Sequence, residues 1–161
     1  MKYGLIILFL FPMSISAEMS PTLENMYKDA EAKYGLPDGI LAAIGTVESN
    51  NNHRAYVKED GRGRKASFGV MQIQLATARQ MGFKGNPKEL LQPRVNIEYS
   101  AAYLTWLLKR SNNNIAQALT CYNAGAHHTL CKTKHYSPYV GLIFNALMHN
   151  KEEVWTNATN Q

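Results

Sequence analysis

Apolar residues return every three to four positions in several stretches of this 161-residue chain, and each such stretch predicts a helix. Leu23, Met26, Tyr27, Ala30 and Tyr34 share one face of a segment that opens at Ser20-Pro21 and stops at Gly35. Pro37-Asp38 opens a second helix, with Ile40, Leu41, Ile44 and Val47 on one face. The run Asn50-Asn51-Asn52 ends it, because asparagine tolerates the left-handed backbone that closes helices. Residues 53–66 are polar and broken by two glycines, which predicts a loop or a short hairpin. Residues 67–83 run into a short helix that ends near Gly82. A strong helix is predicted over 93–109, with Tyr99, Ala102, Tyr103, Trp106 and Leu107 facing inward. Further helices are predicted over 115–122 and over 138–151, the latter with Val140, Ile143, Phe144 and Leu147 inward. The polar tail beyond is expected to fray. With no internal repeat and no linker, the pattern reads as a mostly α single domain.

One position breaks the pattern. At roughly 100° per residue, Glu48 lands between the directions of Ile44 and Leu41, inside the apolar stripe of the second helix. A carboxyl withdrawn from water there has its charged form disfavoured and its pKa raised. The negative end of the helix macrodipole acts in the same direction. Both effects keep the acid protonated near neutral pH, as a general acid requires. The alternative is a carboxylate at the edge of the stripe that bends into solvent.

The N-terminus changes the picture of where this chemistry happens. Lys2, the apolar run "LIILFLF" and the small residues "SISA" read as an export signal over residues 1–17, leaving 18–161 as the domain. The apolar run is too short for a stable membrane anchor. The chain carries 17 basic and 12 acidic residues, a formal charge of +5. An exported basic protein suits an anionic extracellular polymer better than nucleic acid. Export also places the two cysteines, Cys121 and Cys131, where disulfides persist. A bond between them would tie the loop after the helix at 115–122; a reduced, buried Cys121 is the alternative. The neighbouring His127, His128 and His135 lack the paired close spacing of a structural zinc site, so no metal is expected.

Three segments, "ES" at Glu48-Ser49, "SFGVMQ" from Ser67 to Gln72 and "CYNAG" from Cys121 to Gly125, carry a resemblance. In this order they resemble the successive signatures of the soluble lytic transglycosylase catalytic domain. "TAR", "NIEYSAAYLTWLL" and "SPYVGLI" agree with it, and the similarity runs from about Gly35 to Met148. Leu75 stands where that family commonly has proline, and Cys121 where it commonly has alanine. The resemblance implies a lysozyme-like fold of the goose type. It implies cleavage of the β-1,4 bond between N-acetylmuramic acid and N-acetylglucosamine in peptidoglycan, leaving 1,6-anhydro ends, without cofactor. Glu48 matches the catalytic acid. Ser67 and Gln72 match substrate-contact positions, where a hydroxyl and an amide suit sugar groups. The alternative for Ser67 is a helix cap. Tyr122 matches a tyrosine beside the acid, able to hydrogen-bond its carboxyl. Asn123 contacts sugar or fixes the turn at Gly125. Gly69 allows close approach of the glycan, Met71 lines the cleft or the core, and Tyr139 faces the groove or the core.

The size, leader and missing anchor resemble the specialised members that open the wall for secretion, conjugation or pilus machines, whose components are then expected partners in a bacterial periplasm. Two rivals remain at this point. A goose-type muramidase would activate water with Glu59 or Asp60, and a non-catalytic component would only bind peptidoglycan.

Overall fold

The computed structural model describes residues 21–59, 65–133 and 135–159. The expected leader and Asp60 lie outside the described residues. Among the described residues, six α-helices predominate: α1 (Pro21–Tyr34), α2 (Ile40–Ser49), α3 (Leu75–Gln80), α4 (Pro93–Arg110), α5 (Ile115–Ala124) and α6 (Pro138–Thr159). Between α2 and α3 a small antiparallel sheet, β1 (Tyr56–Val57), β2 (Ser67–Phe68) and β3 (Ile73–Gln74), pairs in the order β1-β2-β3. Tyr56 sits opposite Phe68, and Ser67 opposite Gln74. The hairpin expected between 53 and 66 is thus β1–β2, and Ser67 lies on a strand rather than at a helix start.

Helices α1, α2, α4, α5 and α6 enclose one core, filled by Tyr27, Ile40, Leu41, Ile44, Met71, Ile97, Leu104, Leu107, Leu119 and Ile143. A smaller cluster of Phe68, Ile73, Ala78, Phe83 and Leu90 joins the sheet to α3 and to a short 3-10 turn at Pro87–Leu91. Burying such aliphatic and aromatic side chains contributes about 1.5–3 kcal/mol each.

Each end of α2 is fixed from α1. Its N-terminal amides have no acceptor within the helix and need one from elsewhere. Glu31 of α1, almost fully buried, accepts from Gly39 N at 2.9 Å and Leu41 N at 2.8 Å. The sequence points to Asp38 for opening this helix, yet the cap comes from a residue on the preceding one. At the other end Asn50 and Asn51 both adopt positive φ, 52° and 59°, as the asparagine run predicts. Tyr27 of α1 donates to Asn51 Oδ1 at 2.9 Å and pins the closure.

Two predicted faces shift. On α4 the buried residues are Asn96, Ile97, Ser100, Ala101, Tyr103, Leu104 and Leu107, whereas Tyr99, Ala102 and Trp106 lie at the margin. Aromatic bulk draws the expected face to one side, and two polar residues that belong inside fall outside it. On α6, Val140 and Ile143 are buried as expected, but Phe144 is 40% exposed. The tail expected to fray after 151 continues α6 to Thr159. Among the described residues, no helix is long and apolar enough to cross a membrane.

Candidate active site

Glu48 lies in the last turn of α2, half-buried, with the core residues Ile44 and Leu41 behind it. Burial pushes its carboxyl above the usual carboxylate range, and a hydrogen bond from Tyr139 partly offsets the rise. The Tyr139 hydroxyl donates to Glu48 Oε1 at 2.7 Å across 91 residues of sequence. Tyr139 is the second residue of α6, the helix that packs along α2, and it is itself buried. Its phenol is driven strongly upward by burial and then by the adjacent Glu48 carboxyl, so it remains a donor at any working pH.

Tyr122 has a different part from the one its sequence position suggests. Its hydroxyl donates to the Met71 carbonyl at 3.1 Å, not to the carboxyl. Tyr122 still feels the Glu48 charge, and burial raises its phenol strongly. The reason is geometric: α5 reaches the turn after β2, while α6 brings Tyr139 to the end of α2. Tyr122 therefore ties α5 to that turn, and Tyr139 holds the acid.

The turn itself, residues 69–72, is held from several sides. Gly69 has φ 67° and Gln72 φ 46°, a left-handed conformation that is costly for a residue with a side chain. Ser67 Oγ donates to Gln72 Oε1 at 2.8 Å, and Gln72 Nε2 donates to the Gly69 carbonyl at 2.8 Å. Ser67 and Gln72 are thus brought together, each using part of its hydrogen-bonding capacity on the other. Gly69 serves close approach, but to protein: a Cβ there would lie 2.5 Å from Asn96 Nδ2 and 2.7 Å from the Leu90 carbonyl. Met71 is fully buried in the core and lines no cleft.

Two residues to which the sequence assigns no role build this geometry. Asn96, fully buried on α4, accepts from Met71 N at 2.8 Å and donates to the Phe68 and Leu90 carbonyls, each at 2.7 Å. Ser49, beside the acid, donates to the Val70 carbonyl at 2.8 Å and fastens the end of α2 to the same turn. The signal for Asn96 is a polar residue at an inward helical position; nothing in Ser49 alone points to Val70.

Cys121 and Cys131 are bonded, with Cα atoms 5.3 Å apart. His128 uses Nδ1 as acceptor for Leu130 N, capping the 3-10 turn Thr129–Lys132. Asn123 is exposed in the last turn of α5. Glu59 is exposed and ion-paired with Lys65 at 2.6 Å. A cavity of about 720 Å³ opens elsewhere, lined among others by Tyr56, Phe68, Leu75 and Leu91. Neither Glu48 nor Tyr139 borders it.

A half-buried acid at the end of one helix, a phenol donating to it, and a hydroxyl and an amide beside a tight turn are the groups that proton transfer to a polar ligand requires. The sequence matches the transglycosylase SLT domain family over residues 25–138. The chain belongs to that family. Its fold also resembles the X-ray structure of an inactive glutamate-to-glutamine variant of lytic transglycosylase Slt from Pseudomonas aeruginosa, at a TM-score of 0.60 and 22% identity. That match covers 85% of this chain and 21% of the other, so the chain spans about a fifth of that protein's length.

Proposed function

We propose that this chain cleaves peptidoglycan as a lytic transglycosylase, with Glu48 as the acid and then the base. The observation that carries the proposal is the half-buried Glu48 carboxyl, raised by burial and held by Tyr139 at 2.7 Å. Protonated, it gives its proton to the glycosidic oxygen as the bond from that oxygen to the muramic C1 breaks. Positive charge builds on the sugar ring, and the polar side chains of Ser67 and Gln72 hold the sugars in register. The resulting carboxylate takes the proton of the C6 hydroxyl as its oxygen bonds to C1. The products are a 1,6-anhydro end and a free hydroxyl on the departing sugar, and no water is consumed.

A hydrolase would need a second carboxylate placed to activate water, roughly 6.5–9.5 Å from the acid in the inverting case. Burial and Tyr139 account for the Glu48 shift, and the described neighbour Glu59 pairs with Lys65 in solvent. The solved neighbour's inactivity as a glutamate-to-glutamine variant supports a mechanism in which a glutamate is essential. Digestion of sacculi in heavy-oxygen water tests the reading: anhydro ends without label are expected, and labelled reducing ends as the main product would overturn it. The leader-like segment supports action outside the cytoplasm, in a bacterial periplasm, where the components of a secretion, conjugation or pilus apparatus are the proposed partners.

A further inference from the structure

One side of α5 is given over to the chain that leads into α6. Asn114, Gln117, Thr120 and Cys121 recur at helical spacing and share that side. Asn114 Nδ2 donates to the Tyr136 hydroxyl at 3.1 Å, and Gln117 Nε2 to the Leu130 carbonyl at 3.0 Å. Cys121 is bonded to Cys131. Thr120 makes the last of these ties before the helix: its Oγ1 accepts from Ser137 N at 3.1 Å. Thr120 is fully buried, and its own proton goes to the Ala116 carbonyl at 2.9 Å, which fixes the direction in which its lone pairs point. The Ser137 hydroxyl is buried without a partner, so the polar tie at this point runs through Thr120.

The segment after Ser137 is short and stiff. Pro138 has its φ locked by the ring. The first turn closes at once, Val140 N donating to the Ser137 carbonyl at 3.1 Å. Tyr139 lies between them. The height at which α6 begins is therefore set at Ser137, and with it the reach of the Tyr139 hydroxyl to Glu48. We infer that Thr120 is a positioning residue for the acid, acting through Ser137 and Tyr139 without touching substrate. The inference rests on the reading of Glu48 as the acid of glycan cleavage. The titratable groups facing Glu48 are Tyr139 on α6 and Tyr122 on α5, with Tyr27 of α1 and Tyr103 of α4 behind Tyr122.

Thr120→Val keeps the shape and removes the acceptor; Thr120→Ser keeps the acceptor. On soluble glycan strands, Thr120→Val is expected to lower kcat about tenfold with little change in KM, the loss of a near-attack geometry rather than of binding. The alkaline limb of kcat and the carbon-13 titration of the Glu48 carboxyl should both move to higher pH, because a displaced Tyr139 no longer favours the carboxylate. Thr120→Ser should restore rate and titration to the parental values. In a Tyr139→Phe background, Thr120→Val should add almost nothing. Thr120→Ala carries the same readouts should valine not fit. An unmoved Glu48 titration, or a loss that adds in full to that of Tyr139→Phe, overturns the inference. Activity retained by Glu48→Gln would instead overturn the reading of Glu48 itself.

Discussion

The two sides of the site are built in opposite ways. Ser67 on β2 and Gln72 at the end of the turn are joined by partners within six residues, and the turn's backbone is then locked by Asn96. The acid side consists of Glu48 and Tyr139, which are 91 residues apart and meet because α6, started at Ser137, packs along α2. The polar side presents groups that remain good hydrogen-bonding partners in water and can be organised locally. The acid side needs a carboxyl withdrawn from water, and only tertiary packing supplies that. The turn is stitched locally and then anchored by Asn96, Ser49 and Tyr122, whereas the surroundings of the carboxyl are made by helix packing throughout.

The sharpest way to break this comparison is Glu48→Gln. Glutamine keeps the size but cannot exchange the proton, so release of anhydromuropeptides from sacculi should fall at least about 10³-fold. Stability should move the other way. Because the folded carboxyl titrates above its unfolded value, its stabilising contribution is complete at low pH and is lost as pH rises through the folded pKa. The variant should therefore match or exceed the parent's melting temperature at neutral pH, and the parent should gain on the variant on acidification. A variant that melts lower at pH 7 would mean that the carboxyl is fixed for stability.

Asn96→Ala probes the other side. It would strand Met71 N and the Phe68 and Leu90 carbonyls in the core, at a cost of about 3 kcal/mol or more. Urea unfolding measures this directly. A loss below about 1 kcal/mol would show that the turn holds itself without α4.

Smaller effects sharpen the contrast. Tyr139→Phe should cost about tenfold in kcat and move the alkaline limb upward, since only the bond favouring the carboxylate is removed. A pH profile over the neutral range decides it; a change in KM alone would place Tyr139 with the sugar-binding groups. Glu59→Gln should change the rate less than about twofold, because an exposed pair with Lys65 is screened by solvent. A rate collapse in this variant, together with labelled reducing ends, would establish a hydrolytic base in the hairpin.

Periodicity makes the helices legible because α1, α2 and α5 bury aliphatic stripes and end at Gly35, Asn50 and Gly125. It also places Glu48 in its stripe. It misjudges α4, where Asn96 and Ser100 occupy inward positions that an apolar template gives to other residues. The Glu48–Tyr139 bond, the Glu31 cap on α2 and the Thr120 tie are not legible. Each joins residues on different helices, and no local spacing encodes a crossing between them. The family resemblance pairs Tyr122 with the carboxyl, whereas the bond runs from Tyr139, and no local pattern says which tyrosine the packed helices turn toward the acid.

The bond between Glu48 and Tyr139 also sets an order of events in time. Contacts this distant along the chain close late, after the helices that frame them have docked. A chain whose final helix has not yet emerged, or has not yet folded back, carries an acid without its partner. Helices α1 and α2 can already be packed in such a chain, with the Glu48 carboxyl in place and unheld. The pairing of this carboxyl therefore waits on the docking of α6, and the acid is held only after that step.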